Sequence, residues 1–287
     1  MTIVLLRTKR GHSYAQKIQR AVLALGTDCV ISEIAELEDC ITQHDLKPEN
    51  TLIHSRTAGP ITNQKIAAIE AQGFRVINPS ANLMLMNEKY TAHEHAEKHK
   101  LPVAATLKIR KDDTITLDVF LQKYKTVVIK PIYSQGQGVY CQKVSSDMNE
   151  QERLGLLESV PGDEIQVQEY IPYKRLIRVI VIDYRALPEA TTYDEPTNSW
   201  KCSVCLNPNI KAYREDRPEL FKLAERTARA FGAKVNFIDF FENQHGQFIL
   251  NEINTACNLN IHERVTGVRI HEKIAEFLVG EGGGEGE

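Results

Sequence analysis

Buried-strand and helical patterns alternate from the first residues of the chain to residue 80. Short apolar runs typical of buried strands occupy residues 3–6, 29–31, 51–54 and 74–77, and the segments between them space their apolar residues as helices do. Strands that alternate with helices of about ten residues form right-handed βαβ units around a mainly parallel sheet. The sequence therefore predicts an amino-terminal βαβ lobe that ends at the Asn-Pro-Ser break at 78–80.

The remainder of the chain is richer in strand patterns. A helix is predicted over 86–100, and residues 236–241 and 247–253 flank a turn as the two strands of a hairpin. Two prolines and little periodicity predict a mobile loop over 187–199. Further strands are predicted over 105–109, 126–130, 138–142, 165–171 and 177–183.

The composition excludes several classes of protein. The 287 residues are 42% hydrophobic and 25% charged, as in a soluble globular protein of about two domains. A net charge of −3 argues against nucleic-acid binding as the main function. No apolar run approaches the ~18 residues of a membrane span, and the start of the chain lacks a secretory signal. Six scattered cysteines predict reduced thiols, so we expect a cytoplasmic protein with no nucleic-acid or membrane partner.

A lysine and a glycine loop form the first chemical motif. Lys130 ends an apolar strand and precedes the loop Ser134-Gln-Gly136-Gln-Gly138. Such a lysine can reach a phosphate, and glycines let backbone N–H groups approach phosphate oxygens. The motif is not a Walker loop, because the lysine comes before the glycines. An ordinary hairpin loop with a surface lysine is the alternative at this point.

The predicted hairpin carries the second motif. Glu252 and Asn254 are two residues apart on one strand and therefore share a face, and Asp239 lies on the partner strand. If the turn brings the three together, their oxygens form a set suited to magnesium held jointly with nucleotide phosphates. The alternative is the polar face of an ordinary hairpin. Burying such groups among aromatic residues without a partner would be costly, which favours metal ligation.

The motifs, taken together, resemble the ATP-grasp superfamily and, more narrowly, the RimK-like carboxylate–amine (glutamate) ligases. The resemblance covers roughly residues 85–280, and the preceding βαβ lobe resembles the pre-ATP-grasp domain. The motifs occur in the family's order, namely Lys130 with its glycine loop, 168–171, Arg178, Asp239, Glu252 and Asn254.

The resemblance implies an α/β (α+β) fold in which two lobes clamp ATP. The expected segments are the βαβ domain at 1–82, a central lobe at 83–170, a carboxyl-terminal lobe with the metal site at 171–279, and a flexible Gly/Glu tail at 280–287. The implied cofactors are ATP and magnesium or manganese.

The resemblance also implies a role for each matching residue. Arg178 and Lys201 would be catalytic and neutralise phosphoryl charge, and Asp239, Glu252 and Asn254 would hold the metal. For Lys89 a solvated helix charge is the alternative. The residues implied to bind the nucleotide are Lys89, Lys130, Ser134, Gly136, Gly138, Gln168, Glu169, Tyr170, Ile171 and Ser203.

The implied reaction phosphorylates a carboxylate and then lets an amine displace phosphate from the acyl phosphate. The implied partners are a carboxylate substrate and an amine such as glutamate, with a peptide or protein carboxyl terminus as one form of the carboxylate; a homo-oligomer stays open. Leu176 stands where the family commonly has an aspartate that contacts the nucleotide, and the segment 255–259 is a further departure, on the acceptor side. Two alternatives remain: an ATP- and magnesium-binding module without ligation, and a ligase that modifies its own Gly/Glu tail.

Two further patterns are interpreted without a catalytic role. Cys202 and Cys205 have the spacing of half a zinc site, but no second pair occurs at zinc spacing. His93, His95 and His99 lie on one predicted helix, for which a solvated face is the expected reading.

Overall fold

A computed structural model describes residues 1–7, 12–57, 59–133, 138, 140–194, 200–201, 209–257 and 259–283. Three sheets organise this part of the chain. Each sheet falls within one of the three expected segments, whose boundaries stay a prediction.

The amino-terminal sheet confirms the predicted βαβ lobe. Its four strands have the order β2-β1-β3-β4, and every neighbouring pair is parallel. The carboxyl ends of these strands meet at one edge, where parallel sheets bind ligands. The elements are β1 (Thr2–Arg7), α1 (His12–Ala24), β2 (Asp28–Glu33), α2 (Leu37–Gln43), β3 (Thr51–Ser55), α3 (Pro60–Glu70) and β4 (Arg75–Ile77).

The central sheet is antiparallel, with the order β5-β8-β6-β7. Two helices precede it instead of the single helix predicted over 86–100, because the extended backbone at Glu88 separates them and its side chain caps the second. The elements are α4 (Ser80–Asn87), α5 (Lys89–Lys98), β5 (Thr106–Arg110), α6 (Thr114–Tyr124), β6 (Thr126–Pro131), β7 (Gln142–Ser145), α7 (Glu150–Glu158) and β8 (Glu164–Glu169).

The carboxyl-terminal sheet contains the predicted hairpin. Its path is β12-β11-β9-β13-β14, with β10 paired to β9, and all pairs are antiparallel. The elements are β9 (Tyr173–Ile182), β10 (Arg185–Ala186), β11 (Ala190–Asp194), β12 (Lys211–Tyr213), α8 (Pro218–Ala230), β13 (Val235–Asn243), β14 (Phe248–Asn254), α9 (Leu259–Thr266) and α10 (Ile270–Gly283).

Part of the predicted loop over 187–199 is a strand. β11 pairs with β9 and β12, and its residues 190–193 are buried. The interpretation of 190–194 as a mobile loop is therefore wrong, because neighbouring strands supply hydrogen bonds that local periodicity does not reveal. Residues 195–199 lie outside the described part of the chain.

The predicted tail begins too early. Helix α10 runs on to Gly283, so residues 280–283 are not a flexible segment. The Glu281 carboxylate pairs with the Lys234 ammonium at 2.8 Å, and the Glu281 carbonyl accepts a hydrogen bond from Arg75 at 3.0 Å. These contacts hold the last helical turn, although glycine is a poor helix former. Residues 284–287 lie outside the described residues.

Apolar clusters join the amino-terminal and carboxyl-terminal sheets with helices α4 and α5, whereas the central sheet has a core of its own. Side chains of the amino-terminal sheet, such as Leu5, pack in one cluster with Ile180 and Phe237 of the carboxyl-terminal sheet. The central sheet has its own cluster, which includes Val127 and Val167. No helix of the described residues is long and apolar enough to cross a bilayer.

Candidate active site

A cleft of about 560 Å³ opens where the three sheets meet. Its wall contains twelve of the fifteen residues that the sequence analysis assigned to the site. Those twelve are Lys89, Lys130, Gly138, Gln168, Glu169, Tyr170, Ile171, Arg178, Lys201, Asp239, Glu252 and Asn254. The other three, Ser134, Gly136 and Ser203, lie outside the described residues.

Arg178 and Asp239 form a buried bidentate ion pair at the base of the cleft. They face each other across β9 and β13, and the two guanidinium–carboxylate distances are both 2.6 Å. Burial alone would lower the pKa of Arg178, but the Asp239 carboxylate raises it well above its ordinary value. Burial raises the pKa of Asp239, and Arg178 acts in the opposite direction. We take the pair to be ionised, because the two parallel hydrogen bonds require a carboxylate acceptor.

The hairpin brings the three predicted oxygen donors to one place. Asp239 lies directly opposite Glu252 across β13 and β14, and the Asn254 amide donates to an Asp239 oxygen at 3.4 Å. Among the described residues, Glu252 makes no ion pair, and its charge acts on both Asp239 and Lys130. A carboxylate has about four acceptor positions, so Asp239 can bind Arg178 and still offer an oxygen. Two carboxylates and an amide are hard oxygen donors, which fits magnesium.

Lys130 lies on the central sheet, and the side chain of Gln168 holds its ammonium in place. Its ammonium donates to the Gln168 amide oxygen at 2.6 Å, and the Gln168 nitrogen donates to the Thr106 hydroxyl at 3.1 Å. Burial and the nearby Lys89 lower the pKa of Lys130. The resemblance implies that Gln168 binds the nucleotide, and in the structure its side chain holds the ammonium of Lys130.

The aromatic end of the cleft is formed by Tyr170 and Trp200. The Lys143 ammonium lies 3.8 Å from the centroid of the Tyr170 ring, and the Trp200 ring meets Tyr170 edge-on at 6.5 Å. Lys201 follows Trp200 and lines the cleft. Lys143 escaped the sequence analysis, because a lysine in a short strand carries no signal of its own.

His93 corrects the interpretation of the histidine helix as a solvated face. The His93 side chain is buried and lines the cleft, and burial lowers its pKa. His95 bonds the carbonyl oxygen of Ala230 at 2.7 Å, while His99 stays exposed. His93 and His95 therefore contact the rest of the molecule, which the polar composition of the helix concealed.

Arg56 lies beside the cleft and is a further residue that sequence reasoning missed. It follows β3 at the carboxyl edge of the parallel sheet, and its Nη2 donates to the carbonyl of Cys257 at 3.1 Å. Cys257 lines the cleft, as do Gly59 and Pro60 at the start of α3. The position after a parallel strand could have identified Arg56, since ligands bind at that edge.

Comparison with protein families agrees with this architecture. The profile of the RimK-like ATP-grasp domain matches residues 86–278, which is more than half of the chain. The chain therefore belongs to the RimK-like ATP-grasp family, and it is an ATP-dependent ligase.

Two curated relatives and one solved structure are similar to this chain over most of its length. The chain is 26% identical over 279 residues to the coenzyme gamma-F420-2:alpha-L-glutamate ligase of Methanocaldococcus jannaschii, covering 91% of this chain and 92% of the relative. It is 23% identical over 218 residues to the glutamate–LysW ligase ArgX of Sulfurisphaera tokodaii, covering 74% and 75%. The macrocyclase MdnC of Microcystis aeruginosa, solved with its precursor peptide MdnA, has the same fold, with a TM-score of 0.73, 16% identity and coverage of 98% and 100%.

Proposed function

We propose that this ligase joins a substrate carboxylate to the amino group of glutamate through an acyl phosphate. One observation carries the proposal: a single cleft holds an oxygen set on the hairpin, Asp239 with Glu252 and Asn254, together with the cations Lys130 and Arg178. Two relatives that are named glutamate ligases support glutamate as the amine.

The reaction has two steps. A carboxylate oxygen attacks the γ-phosphorus of ATP, and the bond from that phosphorus to the bridging oxygen breaks, which releases ADP. The amine then attacks the acyl carbon, the bond from carbon to the phosphate oxygen breaks, and the amine proton ends on the released phosphate. Little covalent chemistry is asked of the protein, so positioning and charge neutralisation supply the catalysis.

The side chains divide this work. Asp239, Glu252 and Asn254 would hold magnesium, which neutralises phosphate charge when bound. Lys130, oriented by Gln168, is suited to phosphate oxygens. Arg178 is held against Asp239, so that it can share its charge with the transferred phosphoryl group without moving from the sheet.

Movement of the central lobe would exclude water from this reaction. The core of its sheet is separate from the core that joins the other two lobes with helices α4 and α5, so the sheet can move against them with few apolar contacts broken. Closure would keep water from hydrolysing the acyl phosphate.

An ADP-release screen tests the proposal. Purified protein is incubated with ATP and magnesium, each of the twenty amino acids, and a panel of small carboxylates and peptides with free carboxyl termini. We expect ADP release that requires both a carboxylate and glutamate, with a product mass equal to their sum minus one water. Asp239→Asn is the blank. ADP release that is independent of any amine, or a different preferred amino acid, would contradict the proposal.

A further inference from the structure

Arg56 is a buried cation without an anionic partner in the described part of the chain. Its side chain is 6% exposed, and its Nη1 has no hydrogen-bond partner there. The groups that do contact it are neutral: Nη2 donates to the Cys257 carbonyl at 3.1 Å, and the guanidinium lies 4.8 Å from the centroid of the Tyr14 ring. Burying a charge in this way is costly unless an opposite charge compensates it.

The position of Arg56 places it against Cys257, which lines the cleft. The backbone N–H of Arg56 donates to the Leu6 carbonyl at 3.0 Å, which fixes it at the carboxyl edge of the parallel sheet. Burial raises the pKa of the Cys257 thiol, and both Arg178 and Arg56 act on it in the opposite direction. Cys257 therefore lies within the electrostatic reach of both cations.

The start of helix α3 adds a second positive feature to the same wall. Gly59 is its N-cap, with a φ of 128° and no side-chain cap, and both Gly59 and Pro60 line the cleft. The first N–H groups of a helix lack intrahelical partners and attract anions. An anion near Arg56 would gain from both the guanidinium and this helix terminus.

We propose that Arg56 binds a carboxylate of the substrate amino acid that takes no part in the reaction. The inference rests on the proposed function, since it assigns a second carboxylate to the amine substrate. Glutamate offers two candidates, its α- and its γ-carboxylate. Arg56 is thus a specificity-determining residue that selects an acidic amino acid over its amide.

The wild-type enzyme provides the first test. The value of kcat/KM is measured for glutamate, for glutamine and for glutamate α-amide, with ATP and magnesium saturating. One charged hydrogen-bonded contact is worth about a 10- to 100-fold preference, so we expect one of the two amides to be worse than glutamate by that factor. The amide that loses identifies the bound carboxylate. Equal use of all three would overturn the inference and leave the ligase activity intact.

The second test uses Arg56→Gln and Arg56→Lys, with Arg75→Gln as the matched control. Gln keeps a donor for the Cys257 carbonyl and loses the charge, whereas Lys keeps the charge. Arg75 begins β4 at the opposite edge of the same sheet, where it pairs with Glu281 at 3.7 Å. We expect Arg56→Gln to raise the KM for glutamate about 10-fold or more, to leave the KM for ATP within about twofold, and to abolish the discrimination against the amide.

The results of these tests distinguish a failure of the Arg56 assignment from a failure of the proposed function. Arg56→Lys should retain discrimination with an intermediate KM, and Arg75→Gln should match the wild type. If Arg56→Gln keeps the discrimination, or lowers only kcat, Arg56 merely positions the segment around Cys257 and the inference is wrong. If Arg56→Gln does not fold, Arg56→Lys and the wild-type amide series still decide. If the wild type needs no amino acid at all, the proposed function fails and the inference with it.

Discussion

Two buried guanidinium groups, Arg178 in the cleft and Arg56 behind its Cys257 wall, differ in the groups that neutralise them. Arg178 holds a carboxylate through two hydrogen bonds, whereas the Arg56 guanidinium contacts a backbone carbonyl and a tyrosine ring. The first arrangement is complete within the protein, and its charge can be redistributed when a metal and phosphates arrive. The second is a buried cation with no anionic partner among the residues that the structure describes. Burial by itself therefore does not distinguish a structural arginine from a ligand-binding one; the identity of its partner does.

The largest effect is expected at Asp239, the partner of Arg178. Asp239→Asn should reduce ADP release by about 10²–10³-fold, because it removes an anionic metal ligand and the partner of Arg178. It should also lower the free energy of unfolding by about 3–5 kcal/mol, since Arg178 stays buried and uncompensated. Steady-state assay and thermal denaturation measure the two effects.

Glu242→Gln is the control for that variant. Glu242 is equally buried and pairs with Arg175 and Arg217, outside the cleft. The Glu242→Gln substitution should lower the stability of the protein without changing the activity per folded molecule. Equal loss of activity in both variants would show that Asp239 acts only through stability.

The next effect concerns the cation of the central lobe. Lys130→Met should raise the KM for ATP about 10-fold or more, because a charge-assisted contact to a phosphate is lost. Its stability should not fall, since burial already lowers the pKa of Lys130 and an apolar side chain avoids that cost. Lys108→Met, on exposed β5 with Glu164 at 3.4 Å, is the matched control. A large loss of stability in Lys130→Met would contradict this description.

A smaller effect is expected at Glu252, which makes no ion pair with any residue that the structure describes. Glu252→Gln keeps an oxygen but removes its charge, so the magnesium concentration that gives half-maximal rate should rise about 10-fold. The melting temperature should stay close to that of the wild type, which separates Glu252 from Asp239. A magnesium titration at saturating ATP checks this, and an unchanged magnesium requirement would remove Glu252 from the metal site.

The smallest effect is expected at Glu263, which accepts a hydrogen bond from the tyrosine beside Arg56. Tyr14, whose ring contacts Arg56, donates to Glu263 at 2.8 Å, and Glu263 also accepts from Lys17 at 3.0 Å and from the His271 backbone at 3.0 Å. Although burial opposes it, these donors lower the pKa of Glu263 to about 2. A depressed carboxyl pKa stabilises the folded state above the unfolded value of 4.5, and this contribution is lost as the pH falls towards about 2.

Glu263→Gln should therefore be less stable than the wild type at pH 7 by about 1–2 kcal/mol, and the gap should close between pH 4.5 and 2. Denaturation at a series of pH values measures this gap. A gap that does not change with pH would contradict the assignment. A rise in the KM for glutamate in the same variant would show that the hydrogen bonds of Glu263 also position Arg56.

The sequence predicted best where a motif and its strand pattern coincide. Residues 236–253 read as a hairpin, and the hairpin register then placed Asp239 opposite Glu252. Prediction was poorest where the partner is distant in the chain. β11 needed β9 and β12 to become a strand, and His93 is buried by packing that a polar helix does not announce. The Gly/Glu end was misread because Lys234 and Arg75, far away in sequence, hold Glu281.

The sequence by itself determined the parallel amino-terminal lobe, the hairpin with its oxygen donors and the resemblance to the RimK-like ligases, because each depends on local periodicity and short spacing. Only the tertiary structure decided that Gln168 orients Lys130, that Arg178 is already paired and that Arg56 has no anionic partner in the described part of the chain. The physical reason is that the charge state and partners of a buried group are set by residues distant in sequence. Local sequence patterns contain no information about those residues.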